Sequence, residues 1–227
     1  MKWDQVLNEF ERCRLEDLPA ELVYSGRKDI KYPMNLEQAI EVLSHLDSNY
    51  RVMSYQGTLI QHYCTDYFDT PDLVYYLDHH RGKLNREKQR RRTYQDGTSF
   101  WEVKSKNNRG QTIKTRNTNR VEASDGLIQQ LHVEYDRITL FSKDFSEKIT
   151  VDVNLCFSRN HQEFQDQHLI VMESKGTSHH RSPFNVLMRE LHIRPNGFSK
   201  YCVGMALLFP LLKSNNFKQL LRSTLNI

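Results

Sequence analysis

Between Arg86 and Arg116, cationic side chains recur on alternate residues of three successive segments. The first reads Arg86-Glu-Lys88-Gln-Arg90-Arg-Arg92-Thr-Tyr94, the second Phe100-Trp-Glu102-Val-Lys104-Ser-Lys106, and the third Lys114-Thr-Arg116. A β-strand turns successive side chains to opposite faces, so the even-numbered positions share one surface. That surface carries Arg86, Lys88, Arg90, Arg92, Lys104, Lys106, Lys114 and Arg116. So many like charges repel one another, and no fold requires them. The pattern predicts a sheet whose basic face grips a polyanion.

The bulk numbers sharpen this. A chain of 227 residues holds one large β domain or two small ones, and 11 Phe, 11 Tyr and 2 Trp supply a core. The net charge is only +4, so the signal lies in where the cations sit. Cys13, Cys64, Cys156 and Cys202 form no C-x-x-C pair, which points to four buried thiols in a reducing compartment rather than a zinc site or a disulfide framework. The segment MKWDQVLNEFERCR has no apolar stretch of the signal-peptide kind. The run from Val203 to Leu212 is interrupted by Pro210 and too short to span a bilayer. The expectation is a soluble, cytoplasmic protein that does not insert into a membrane.

Periodicity gives an amphipathic helix from Trp3, Val6, Leu7 and Phe10, and a short strand from Arg27 to Tyr32. Asn35 caps a helix to about Leu46, with Gln38 in the capping-box position. Strands follow at Gln61 to Asp69 and through the basic meander, whose first hairpin turns at Asp96-Gly97 and second at Asn107 to Gly110. A short helix from Pro71 to His79, a helix around Leu127 to Val133, a hairpin of Arg137 to Phe141 with Lys148 to Phe157, and a strand from His168 to Lys175 complete the middle. Helices then occupy roughly Pro183 to Leu191, Ser199 to Leu212 and Phe217 to Leu221. The predicted class is α+β, an eight-stranded antiparallel β-barrel with flanking helices. It reads as one domain over 1–227, with an N-terminal helix in 1–20, barrel strands and crossover helices in 27–175, and C-terminal helices in 182–225.

In such a barrel Trp101, Val103 and Ile113 share the odd parity and fit an outer side packed on helices, which leaves the cations lining the lumen. Charge there is costly unless anionic ligand or water compensates it. Glu102 shares a face with Lys104, Glu173 with Lys175, and Asp152 with Lys148. A carboxylate among phosphate-binding cations is placed to hold Mg²⁺ or Mn²⁺ together with substrate oxygens, Glu173 before Glu102 or Asp152. The doublets His79-His80 and His179-His180 diverge in direction and read as loop histidines. Ser199 reads as an N-cap, and Lys200 in the first turn is misplaced against the helix dipole unless an anion is near. No Walker loop, G-x-S-x-G or kinase glycine loop is present.

The ordered set Arg27-Lys-Asp-Ile-Lys31-Tyr32, Tyr67-Phe-Asp-Thr70, Arg86-x-Lys88-x-Arg90-x-Arg92-x-Tyr94, Trp101-Glu-Val-Lys104, Lys114-Thr-Arg116, Thr150-Val-Asp152, Met172-Glu-Ser-Lys175 and Phe198-Ser-Lys-Tyr201 resembles the VTC domain. That is the polyphosphate polymerase domain of the triphosphate tunnel metalloenzyme, or CYTH-like, superfamily, here of the stand-alone bacterial type. The resemblance implies an eight-stranded tunnel binding nucleoside triphosphate and a divalent metal. It places Arg27, Lys31, Arg90, Arg92, Lys104, Lys114 and Lys200 at phosphate-gripping positions and Glu173 at the metal-binding glutamate. Arg90, Arg92, Lys104, Lys114 and Lys200 are the candidate catalytic cations. Lys88, Arg116, Lys148, Lys175, Ser199 and Tyr201 join Arg27 and Lys31 as candidate substrate contacts. Triphosphatases of the superfamily open with E-x-E-x-K, whereas Arg27-x-Asp29-x-Lys31 resembles the polymerase branch. Lys148 stands where an arginine is expected. The inositol-phosphate-sensing SPX domain and the membrane helices of the eukaryotic complex have no counterpart here, and a membrane-protein partner is left open.

The implied activity is transfer of the γ-phosphoryl of ATP to polyphosphate, with Mn²⁺ or Mg²⁺ as cofactor. The rival readings are a tunnel triphosphatase and a non-catalytic binder of polyphosphate or nucleic acid. Nucleic acid is disfavoured because Trp101 falls on the face opposite the cations, although Tyr94 and Phe100 share the basic one.

Overall fold

A computed structural model, which describes residues 2–19, 28–108, 112–118, 126–176 and 181–225, shows an eleven-stranded sheet with six flanking α-helices. The strands are β1 (Glu11–Arg14), β2 (Lys28–Met34), β3 (Tyr50–Ser54), β4 (Ile60–Asp69), β5 (Arg86–Tyr94) and β6 (Ser99–Lys106). They continue as β7 (Thr112–Asn117), β8 (Ile128–Ser142), β9 (Glu147–Arg159), β10 (Gln162–Asp166) and β11 (Ile170–Gly176). The helices are α1 (Lys2–Asn8), α2 (Leu36–Leu43), α3 (Val74–His80), α4 (Pro183–Glu190), α5 (Lys200–Leu208) and α6 (Lys218–Leu225). None of the described helices is long and apolar enough to cross a membrane.

Eight strands form the continuous antiparallel path β2-β11-β9-β8-β4-β5-β6-β7, the α+β antiparallel architecture expected from the strand count. β3 and β10 attach beside β8 and β9, and β1 pairs with β3 in parallel. Among the described residues no ladder joins β7 back to β2, so the barrel is a curled sheet with a seam in its hydrogen bonding. The curl is deep. Lys104 on β6 interacts electrostatically with Glu173 on β11 and Lys31 on β2, which belong to the opposite end of the path.

Local chemistry explains several elements. Asn35 and Gln38 exchange side-chain-to-backbone hydrogen bonds of 2.9 and 3.2 Å, the expected capping box of α2. Gly97, at φ +81°, turns the β5–β6 hairpin, and Tyr94 N donates to Thr98 O across it. Two elements differ from the sequence reading. Residues 1–20 are not one helix: α1 ends at Asn8, and β1 then buries Cys13 against Met53 and Phe141. The helix expected around Leu127 to Val133 is instead the start of β8, a 15-residue strand. Leu131, Val133 and Tyr135 are all buried at a period of two, and β4 and β9 satisfy the backbone on both sides. A short apolar run does not separate helix from strand by itself.

Two apolar clusters lie on opposite faces of the sheet. On the outside, Leu7, Val42, Leu43, Phe184 and Met188 from α1, α2 and α4 pack on Ile138, Leu140, Ile149, Val151, Ile170 and Met172. On the inside, Val203 and Met205 of α5 meet Leu131, Val133, Leu155 and Phe157, so α5 stoppers one end of the curl. A Cβ on Gly204 would stand 2.4 Å from Phe157 Cδ1 and 2.7 Å from Leu131 Cδ2, so only glycine seats α5 this close. Trp101 packs on Phe68 with centroids 4.8 Å apart, but Ile113 is 59% exposed, contrary to the packed outer side expected there.

Candidate active site

The curl encloses a cavity of about 680 Å³. Eleven lysines and arginines line it against four aspartates and glutamates among the described residues. The even-numbered face of β5 to β7 turns inward as the alternation requires: Lys88, Arg90, Arg92, Lys104, Lys114 and Arg116 all reach the cavity. Lys31, Lys148, Glu173, Lys175, Ser199 and Lys200 line it too. Arg27 lies outside the described residues, as do His179 and His180.

Strand register decides how these charges are partnered. Glu102 stands between Arg90 on β5 and Arg116 on β7. Its side chain is fully buried behind the cavity wall. It accepts from Arg90 Nε at 2.7 Å and Arg116 Nη2 at 2.9 Å, and pairs with Lys114. Burial opposes its charge, yet Arg90, Arg92 and Lys114 hold the carboxyl well below the usual carboxylate range. Asp152 stands opposite Arg137 on β8, which grips it bidentately at 2.5 and 2.8 Å, and Lys200 pairs with the same carboxylate. Asp152 is therefore the anion that the first-turn lysine of α5 requires. It too is held far below its ordinary value, by Arg137 and Lys200 against the opposing effect of burial.

Glu173 differs. Among the described residues its one close cation is Lys175, with Nζ at 2.9 Å, while its side chain keeps 12% exposure to the cavity. Burial works against its charge, and Lys175, Lys31 and Lys104 outweigh it.

A second set of cations has no carboxylate partner among the described residues. Lys31 Nζ donates to Phe198 O at 2.9 Å, and Lys88 Nζ donates to Ser199 Oγ at 2.9 Å. The buried Nε of Arg92 has no hydrogen-bond partner among the described residues, and its guanidinium lies over the Tyr63 ring at 5.6 Å. Burial, reinforced by Arg90 and Lys31, pushes Lys104 down to about 6. Burial likewise lowers Lys88 and Lys114 to about 8 each. Lys88 and Lys104 are lowered without an ion-pair partner among the described residues, whereas Lys114 is lowered despite its pairing with Glu102.

Ser199 caps α5 as expected, accepting from Cys202 N at 3.3 Å. Tyr201 does not reach the cavity: its ring stacks on Tyr67 and its hydroxyl donates to Asp69 at 2.6 Å. Lys148 has its ammonium 5.2 Å from the Phe141 ring centroid. His79 and His80 are not in a loop but close α3; burial pushes His79 down to about 3. Sequence reasoning missed Arg137 and the wall formed by Tyr63 and Tyr67, because the strand containing Arg137 was taken to start there. The alternation Leu131-Val133-Tyr135-Arg137 carries the signal, once β8 is known to be continuous.

Comparison with curated protein sequences finds no match. Among solved structures, the protein PH1819 from Pyrococcus horikoshii OT3 superposes with a TM-score of 0.44 at 10% identity, covering 74% of this chain and 92% of that one. HpAC1 from Hippeastrum, whose structure was reported with a dominant triphosphatase activity, gives 0.48 at 13% identity, covering 78% and 93%. The model of the VTC domain matches residues 26–132 and 130–209. By that match, which spans most of its length, the chain belongs to the VTC domain family.

Proposed function

We propose that the chain is a metal-dependent phosphotransferase that moves the γ-phosphoryl of ATP onto a growing polyphosphate chain within this cavity. One observation carries the reading. Lys31, Lys88, Arg92 and Lys104 converge on one enclosed space without carboxylate partners among the described residues, beside a glutamate still open to that space. A triphosphate supplies the missing negative charge. Arg90, Lys114, Arg116, Arg137 and Lys200 are held in place by Glu102 and Asp152, so they present fixed charge that need not reorganise as the reaction proceeds.

The donor chemistry separates the three acidic candidates. Glu102 and Asp152 have their oxygens occupied by guanidinium and ammonium groups. Glu173 offers one carboxylate on the cavity wall, which with substrate oxygens suits Mg²⁺ or Mn²⁺. Such an ion, when bound, adds charge neutralisation at phosphate oxygens. Phosphoryl transfer needs alignment and charge stabilisation more than a protein nucleophile. A terminal oxygen of polyphosphate, already ionised, attacks Pγ. The bond from Pγ to the β,γ-bridging oxygen breaks, ADP leaves with that electron pair, and the chain is longer by one phosphate. No side chain has to remove a proton.

The test is incubation of purified protein with ATP and Mn²⁺, with product resolved by gel electrophoresis and ADP measured. Long polyphosphate with stoichiometric ADP supports the polymerase. Inorganic phosphate without polyphosphate moves the same cavity to hydrolysis and refutes the transferase. Glu173→Ala should lose turnover and keep tripolyphosphate binding; unchanged turnover removes Glu173 from the metal role.

A further inference from the structure

On the outward face of β4 and β8, behind the cavity wall, stands a second polar constellation that phosphate binding does not use. β4 presents His62, Cys64 and Asp66, and β8 presents Asp136, Glu134 and His132 opposite them in register. The side chains of His62 and Glu134 are 46% and 45% exposed, and Cys64 is half-buried rather than enclosed in the core.

Cys64 Sγ and His62 Nε2 lie 3.5 Å apart, and a carboxylate oxygen of Glu134 lies within 4.8 Å of both. A tetrahedral zinc ion, with Zn–S near ~2.3 Å and Zn–N near ~2.0 Å, holds its sulfur and nitrogen ligands about 3.5 Å apart. The two donors already stand at the separation that a shared ion imposes.

The surroundings resemble the support of a metal site. His62 Nδ1 lies 2.9 Å from Asp136 Oδ1; a carboxylate only accepts, so Nδ1 carries a proton, and in the neutral ring this leaves the Nε2 lone pair on Cys64's side. Asn154 donates to the other Asp136 oxygen at 2.8 Å. A carboxylate behind the imidazole, itself hydrogen-bonded, is what fixes ring and tautomer in metal-ligating histidines. Glu134 is steadied by His132 Nε2 at 3.0 Å, and His132 Nδ1 by Asp66 at 2.7 Å. Three carboxylates, Asp66, Glu134 and Asp136, stand on this face around the two donors.

A disulfide is not the chemistry of this face. Cys156 is opposite Glu134 on β9, two strands from Cys64. At the usual strand spacing of ~4.8 Å that is about 10 Å, beyond the ~7 Å limit for bridging.

We propose that His62, Cys64 and Glu134 form a binding site for a thiophilic divalent cation of the zinc type on the outer face of the sheet; of the three, His62 also borders the phosphate cavity. Three protein ligands leave a fourth position for water. Binding forms a thiolate–metal bond and releases the thiol proton to solvent, without redox change. The ion clips β4 to β8 across the strands whose other face carries Tyr63 and Arg137.

Co²⁺ is the probe, because thiolate-bound tetrahedral cobalt shows sulfur-to-metal charge transfer in the near ultraviolet and strong ligand-field bands in the visible. Titrated into the full, metal-free chain, Co²⁺ should produce both at one equivalent, and Zn²⁺ should remove them. Cys64→Ser should abolish the charge-transfer band. Asp136→Asn should weaken Co²⁺ binding about 10- to 100-fold while keeping the band. Circular dichroism checks that both variants fold, and the wild-type spectrum stands independently of them. A wild-type titration without charge transfer, or equal Co²⁺ affinity in Cys64→Ser, overturns the proposal.

Discussion

Replacing Lys104 with methionine should make the protein more stable and its cavity less able to hold triphosphate. The ammonium has an ordinary value of 10.5 and is pushed down to about 6 by burial in the folded state. Between those values the unfolded chain binds more protons than the folded one, so stability rises with pH across that window and is lowest below pH about 6. At about pH 7.5 the side chain is held neutral some ~3 units below its ordinary value, a cost of up to ~4 kcal/mol. Discounting roughly half of this for solvent screening leaves about 2 kcal/mol for Lys104→Met to recover. For a chain of this size that is a rise in Tm of about 4–8 °C. The assay is thermal unfolding of both proteins from about pH 6 to 9, with and without tripolyphosphate. Wild type should gain stability with pH at up to ~1.4 kcal/mol per unit, and the variant should show a shallower slope. At about 100-fold excess over Kd, bound tripolyphosphate stabilises a single site by ~2.7 kcal/mol, and the variant should gain visibly less. A variant that melts below wild type without anion, or that gains equally from tripolyphosphate, would refute the assignment of Lys104 as an uncompensated phosphate ligand.

Further outcomes follow from other residues. Glu102→Gln leaves Arg90, Lys114 and Arg116 without their buried carboxylate and should cost about 3–5 kcal/mol in chemical denaturation, with tripolyphosphate restoring more of it than it adds to wild type. Because Lys88 and Lys114 are lowered to about 8 and Lys104 to about 6, tripolyphosphate binding near neutral pH should take up protons. Titration calorimetry in buffers of different ionisation enthalpy measures this; heats independent of buffer contradict it. Gly204→Ala should destabilise by about 1–3 kcal/mol through its clash with Phe157 and Leu131, and an unchanged denaturation midpoint would show that α5 shifts freely.

The cavity wall was legible because its chemistry is written in a period of two. Three consecutive strands in phase fixed which side of β5, β6 and β7 bears the cations, and each of those cations from Lys88 to Arg116 that the structure brings to the cavity sits on that side. Partner choice was not legible. Glu102, Asp152 and Glu173 look alike along the chain, yet register gives the first two several cations and the third one close partner. Register depends on turns and bulges, among them the irregularity between Glu134 and Asp136 that shifts β8 against β9. β8 itself was hidden because its apolar start fits a helical turn as well as an alternating strand. The outer constellation was invisible for a related reason: His62 and Cys64 are two residues apart, but Glu134 is seventy residues later and joins them only through pairing. No spacing rule for metal ligands spans that gap.

β4 is a ribbon with unrelated equipment on its two sides, tyrosines toward the cavity and His62, Cys64 and the buried Asp66 on the outer face. Exchanging one side chain touches one side only. Deleting a single residue upstream of Tyr63 would transpose everything between the cut and the irregularity at Tyr67/Phe68, turning a thiol and an imidazole inward among the arginines and aromatic rings outward into water. This stretch can therefore drift by substitution but hardly by change of length, and gaps in an alignment of relatives should avoid it and fall in the connections instead.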